Sequence, residues 1–108
     1  MAQDFINYKD SATGTTPVVV HTANSNDTVI SIRLANIHAS SAISVSCYIT
    51  NGSNYYLIKN APIPLGGSLE LIDGGSKIVL ISSDALTVVS DTAASLDSVV
   101  SAVDAISV

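Results

Sequence analysis

Apolar and polar residues alternate along most of this chain with a period of two. In DTVISIRL, Asp27 to Leu34, the residues Ile30, Ile32 and Leu34 alternate with Ser31 and Arg33, and AISVSCYI, Ala42 to Ile49, repeats the pattern. A two-residue period rich in β-branched side chains marks a half-buried strand. TPVVVHTA, SLELI, KIVLI and ALTVVSD read as further strands, and DFINYKDSA as a short edge strand. The closing SLDSVVSAVDAISV places Leu96, Val99, Val100 and Val103 at helical spacing behind a potential cap, Ser95. Its valines, isoleucines and serines are poor helix residues, and they decide for a strand.

Turn chemistry separates these runs. NGSN, Asn51 to Asn54, carries the Asn-Gly pair preferred by type I′ hairpins, which need positive φ at both central residues. Residues 42–50 and 54–59 are therefore expected to form an antiparallel hairpin. Pro62 and Pro64 cannot donate to a ladder, which limits APIPLGG to an edge or a crossing connection. DGGS predicts a second hairpin, joining SLELI to KIVLI. About seven to nine short strands with regular turns indicate an antiparallel β-sandwich or small barrel.

At 108 residues, with no repeat or linker, the chain reads as one domain, 1–108. A mass of 11.1 kDa predicts about 5,700 Å² of folded surface and about 65% burial, enough for one core. Charged residues are only 12% and hydrophobic residues 47%, which excludes a disordered chain. The four basic residues, Lys9, Arg33, Lys59 and Lys77, are scattered, so nucleic acid is not an expected partner. Neither a run of about 18 apolar residues nor a secretory leader is present, so no membrane partner is expected either.

Candidate chemistry is thin. Gly-Gly occurs twice, but LGGSLEL and DGGSKIV both run from strand to strand, so the glycines read as bends rather than a phosphate cradle. His21 and His38 lack ligand-spaced companions, no G-x-S-x-G elbow occurs, and Asp73, Asp84, Asp91, Asp97 and Asp104 form no calcium loop. Cys47 shares a strand face with Ile43, Val45 and Ile49 and reads as a packed thiol. The chain is expected to have no catalytic residue, no metal and no cofactor.

What stands out is apolar character on both faces of several strands. KIVLI sets Ile78 and Leu80 on one side and Val79 and Ile81 on the other, and PVVVH and YYLI behave alike. A two-layer sandwich wets one face of each sheet, so alternation should be clean. Five outward residues of about 80 Å² each would form a patch of about 400 Å², more than monomers usually leave exposed. We read Phe5, Ile6, Tyr8, Val19, Tyr55, Tyr56, Val79 and Ile81 as partner-interface residues. Of the adjacent Tyr55 and Tyr56, one is expected in the core and the other at a contact. Phe5, Ile6 and Tyr8 are placed in an extended N-terminal arm, 1–16, reaching a neighbour.

From Ile30 to Ile106 the chain carries an apolar strand ending in AN, a Ser-rich turn, SVSCYI, a hairpin, PIPLGGSLEL, GSKIVL, DALTV and SLDSVVS. This succession resembles a group of small tailed-bacteriophage virion proteins. The resemblance implies a β-sandwich, jelly-roll or immunoglobulin-like, that cements or decorates a capsid, commonly as a homotrimer, or serves in the neck, tail or fibre base. It implies the major capsid protein or other virion proteins as partners, a place in the virion after assembly in the host cytoplasm, and no enzymatic activity. A carbohydrate-binding sandwich is the rival of another class, although such sites favour exposed Trp and this chain has none.

Overall fold

The computed structural model describes residues 5–72 and 77–104. Nine strands follow one another: β1 (Phe5–Thr13), β2 (Val18–Thr22), β3 (Asp27–Asn36), β4 (Ile43–Asn51), β5 (Ser53–Ile63), β6 (Ser68–Glu70), β7 (Ile78–Leu80), β8 (Ala85–Ser90) and β9 (Leu96–Val103). They form two antiparallel sheets. Sheet A has the order β1-β9-β3-β6, with β7 also on β3, and sheet B the order β2-β8-β4-β5.

The pairing has a simple logic. β1 lies on β9, β2 on β8, β3 on the β6 and β7 segments, and β4 on β5. The first four strands thus pair in reverse with the last five, as though one long hairpin had been rolled into two layers. This is the jelly roll. An immunoglobulin-like order keeps its first two strands in one sheet, whereas β1 and β2 here lie in different sheets. The inner faces interlock through Ile32, Leu34, Ile43, Val45, Leu86, Val88, Leu96 and Val100, each at most 2% exposed. The total surface, 5555 Å², is close to the roughly 5,700 Å² that size alone predicts.

Several expectations change. Residues 5–13 are not an arm, because β1 holds a ladder from Phe5 opposite Val103 to Asp10 opposite Ser98, then bulges before Thr13 meets Leu96. The β4–β5 hairpin is present, but Asn51 lies opposite Ser53 and only Gly52 takes positive φ, 77°. A loop centred on one residue is not a two-residue type I′ turn. Pro62 sits inside β5 opposite Ser44, which edge pairing permits. In the tail, residues 96–103 are strand, as the β-branched content indicates; residues 105–108 fall outside the described residues.

The second predicted hairpin does not form. β6 and β7 both pair antiparallel with β3, Arg33 opposite Glu70 and Thr28 opposite Val79, so they run in the same direction as two pieces of one interrupted edge strand. The DGGS stretch between them lies outside the described residues. Where the pieces part, Glu70 fills the ladder. Its carboxylate accepts from Ile32 N at 2.9 Å, Ile72 N at 3.3 Å and the Ser31 hydroxyl at 2.9 Å. Partial burial pushes the Glu70 pKa upward, but these hydrogen bonds and the Arg33 guanidinium outweigh it and hold the carboxyl below its ordinary value.

Glu70→Ala is expected to cost about 1–3 kcal/mol in urea unfolding, because Ile32 N–H loses its acceptor. Folding lowers the Glu70 pKa, so its stabilisation is complete above the unfolded carboxyl's pKa. It disappears as pH falls through the lower folded value. Thermal melts of Glu70→Gln between neutral and acid pH should therefore show a shallower loss than the parent.

Candidate interaction surface

A residue directly opposite another across a ladder shares its sheet face, so the register maps each outer surface. On sheet B, Val19 lies opposite Thr87, Thr87 opposite Tyr48, and Tyr48 opposite Tyr56, one row across all four strands. The middle of this row is covered, while Val19 at its β2 end stays 52% exposed. The Tyr56 ring leans on Tyr48 with centroids 4.9 Å apart, and the Lys59 ammonium lies 5.0 Å above Tyr56. Tyr48 is consequently only 8% exposed.

Sheet A differs. Phe5 lies opposite Val103, Val103 opposite Thr28, and Thr28 opposite Val79, and this row stays open: Phe5 is 83% and Val79 52% exposed. Next to it, Ile30 is the extra residue of a bulge between Val29 and Ser31. Alternation had assigned Ile30 to the core with Ile32 and Leu34. The bulge instead buries Val29 and sends Ile30 outward, because each side of a strand changes with a one-residue shift. There Ile30 joins Phe5, Asn7 and Ser101 around a shallow concavity of about 330 Å³.

Two registers further along the same face stand Lys9, Val99, Arg33 and Glu70, again directly opposite one another. Arg33 Nη2 lies 3.6 Å from Glu70 Oε1. Asp97 and Lys9 flank a second concavity of about 360 Å³ beside Val99. Both hollows follow the seam between β1 and β9. Sheet A therefore presents an apolar end and a charge-matched end.

The eight sequence-derived interface residues are not one patch. Phe5 and Val79 share the open row of sheet A; Val19 and Tyr56 stand at opposite ends of one row of sheet B, with the buried Thr87 and Tyr48 between them. Tyr55 and Tyr56 are 58% and 45% exposed, so neither is core. Tyr55 takes the Ile49 register on an edge strand, near the hairpin end. Ile81, 54% exposed, follows β7 in a turn where its N–H donates to Asp84. Ile6 and Tyr8 take the inner registers, opposite Ala102 and Val100. Tyr8 packs against the core rather than reaching a neighbour. Sequence reasoning missed Ile30 and Val99; Val99 was legible from its place in the alternation of β9, Ile30 was not.

Tyr8 belongs to a cluster of chemistry-bearing side chains that includes a buried carboxylate. Its ring stacks on His21, centroids 3.7 Å apart, and His21 Nε2 lies 2.8 Å from Oδ2 of the fully buried Asp27. Burial, then the charges of Asp104 and Asp27, push the Tyr8 phenol above its ordinary pKa. The His21–Asp27 contact joins β2 to β3, strands of opposite sheets. His38 Nδ1 accepts from Ser40 N and Ser41 N and shapes its own loop. Cys47 is fully buried, and burial pushes its thiol up to about 12. Among the described residues, no group of three or more His, Cys, Asp or Glu could hold a metal ion, and no helix is long and apolar enough to cross a membrane.

Comparison with protein families, with curated proteins and with solved structures finds no match to this chain.

Two outcomes are expected from these geometries. His21→Ala removes the Asp27 hydrogen bond and the Tyr8 stack together and should lower stability by about 1–3 kcal/mol in urea titration. Cys47 should stay inert to a thiol reagent at neutral pH in the native protein and react at once in denaturant, since only thiolate attacks.

Proposed function

We propose that this protein is a non-enzymatic structural component of a tailed-phage virion, a capsid cement or decoration protein that works by burying β-sheet surface against sister subunits and the shell. The observation that carries the proposal is the open apolar row of Phe5, Val103 and Val79 on sheet A. An edge-to-edge row of this kind, on a chain with only 12% charged residues, is surface suited to protein contact rather than to water. The jelly roll fits the role without deciding it, since the fold also serves lectins and cupins. The resemblance across Ile30 to Ile106 selects the virion from among those uses. A neck, tail or fibre-base position would use the same surface in the same way.

A sugar-binding role finds less support. Tyr56 already has Tyr48 against it and the Lys59 ammonium above it, and Phe5 and Tyr55, the other exposed aromatics, stand on separate strands of different sheets.

The test is occupancy of purified particles. The chain, added to particles lacking it, should bind and raise their resistance to heat or chelators, and the double variant F5D/V79D should bind at least about tenfold more weakly, as expected for charges placed on a desolvated contact. Absence of the chain from purified particles, or equal binding by the variant, would remove the proposal.

A further inference from the structure

We infer that the outer face of sheet A is covered by a second copy of this chain, the two sheets packing face to face about a two-fold axis that runs along the strands between β9 and β3. The inference rests on the reading that this face is the one the protein buries, and it names the occupant.

The register dictates the geometry. Such an axis reverses the order β1-β9-β3-β6/β7, so the β1 edge of one copy lies over the β6/β7 edge of the other. Phe5 then meets the partner's Val79, and Val103 meets the partner's Thr28. In the polar row Lys9 meets the partner's Glu70, and Arg33 approaches the partner's Asp97 past Val99. Each contact occurs twice, as an isologous interface requires. Phe5 and Val103 thus meet a valine and a threonine methyl, Val99 lies under the aliphatic stem of the partner's Arg33, and Lys9 and Arg33 each come near a carboxylate of the partner.

Charge favours a copy over another occupant. The chain carries a formal net charge of −5, which sets two copies against each other at most approaches. On the described part of this face Lys9 and Arg33 match Glu70 and Asp97, so here the repulsion is absent and the signs interlock. The corresponding row of sheet B is partly taken up by its own side chains, Tyr56 lying on Tyr48 and the Lys59 ammonium over Tyr56, although Val19 remains 52% exposed. The area is adequate. Four strands at about 4.8 Å spacing and a β3 of 10 residues at about 3.3 Å each give a footprint of about 600 Å². That is the lower end for a stable interface, about 600 Å² per partner. Two sandwiches stacked this way keep their strands nearly aligned, the usual sheet-on-sheet arrangement.

Sedimentation of the isolated chain and cysteine cross-linking test the pairing together. At micromolar concentration the chain should sediment as a dimer, with Lys9→Glu weakening association by about tenfold and Phe5→Asp by more. Phe5→Cys and Val79→Cys combined in one chain should be joined between copies by a short bismaleimide, whereas either alone should not, because the axis sets like residues on opposite edges. Circular dichroism of each variant confirms that a loss of pairing is not a loss of fold, β1 and β7 being edge segments. A monomer, a trimer, a dimer unmoved by both substitutions, or cross-linking by a single cysteine would each overturn the inference. A monomer that still occupies particles sinks the pairing and leaves the virion reading standing; a dimer found in no particle does the reverse.

Discussion

One extra residue in β3 governs both sides of sheet A. Side chains alternate across a strand, so a bulge exchanges the two faces for everything on one side of it. At Ile30 that exchange buries Val29 against Ala102 while Ile32 and Leu34 keep their places in the core. The displaced isoleucine then stands outside, beside Phe5, and deepens the apolar end of the face. The core and the candidate contact surface are products of the same local irregularity.

Glu70 solves the related problem at the other edge. β3 is ten residues long, and on the side away from β9 no single described strand covers it; β6 and β7 take its two ends. The gap would leave Ile32 N–H unpaired next to a buried side chain, and the carboxylate accepts it. A charged acceptor makes a stronger hydrogen bond than a carbonyl, so a polar side chain completes a ladder that backbone alone leaves open. The same carboxylate shows its remaining surface to the polar row with Arg33, linking the integrity of the edge to the electrostatics of the face.

The two sheets divide labour. Sheet B shields Tyr48 in its outer row with its own tyrosine and leaves Val19 exposed at one end, while sheet A leaves Phe5 and Val79 uncovered and sets Lys9, Arg33 and Glu70 in one row. Between the sheets, Tyr8, His21 and Asp27 tie β1, β2 and β3 together on the side where the chain crosses from one layer to the other. This explains how a histidine beside a buried aspartate serves structure: Tyr8 stacks on its ring and Asp27 holds its Nε2.

The sequence by itself determined the class of the fold, because period-two alternation, Pro62 on an edge and Gly52 in a turn are local properties that each strand or bend must satisfy whatever its neighbours. It also determined that apolar surface exceeds what two inner faces absorb. Which strands pair was beyond its reach: KIVLI and SLELI look like hairpin partners, yet both join β3, since pairing is decided by the fit of distant strands and not by the turn between them. The facing of Ile30, the burial of Tyr8 and the exposure of both Tyr55 and Tyr56 were likewise settled only by tertiary structure. A bulge, an edge position or a stacked histidine changes a side chain's surroundings without changing a letter of the pattern that places it.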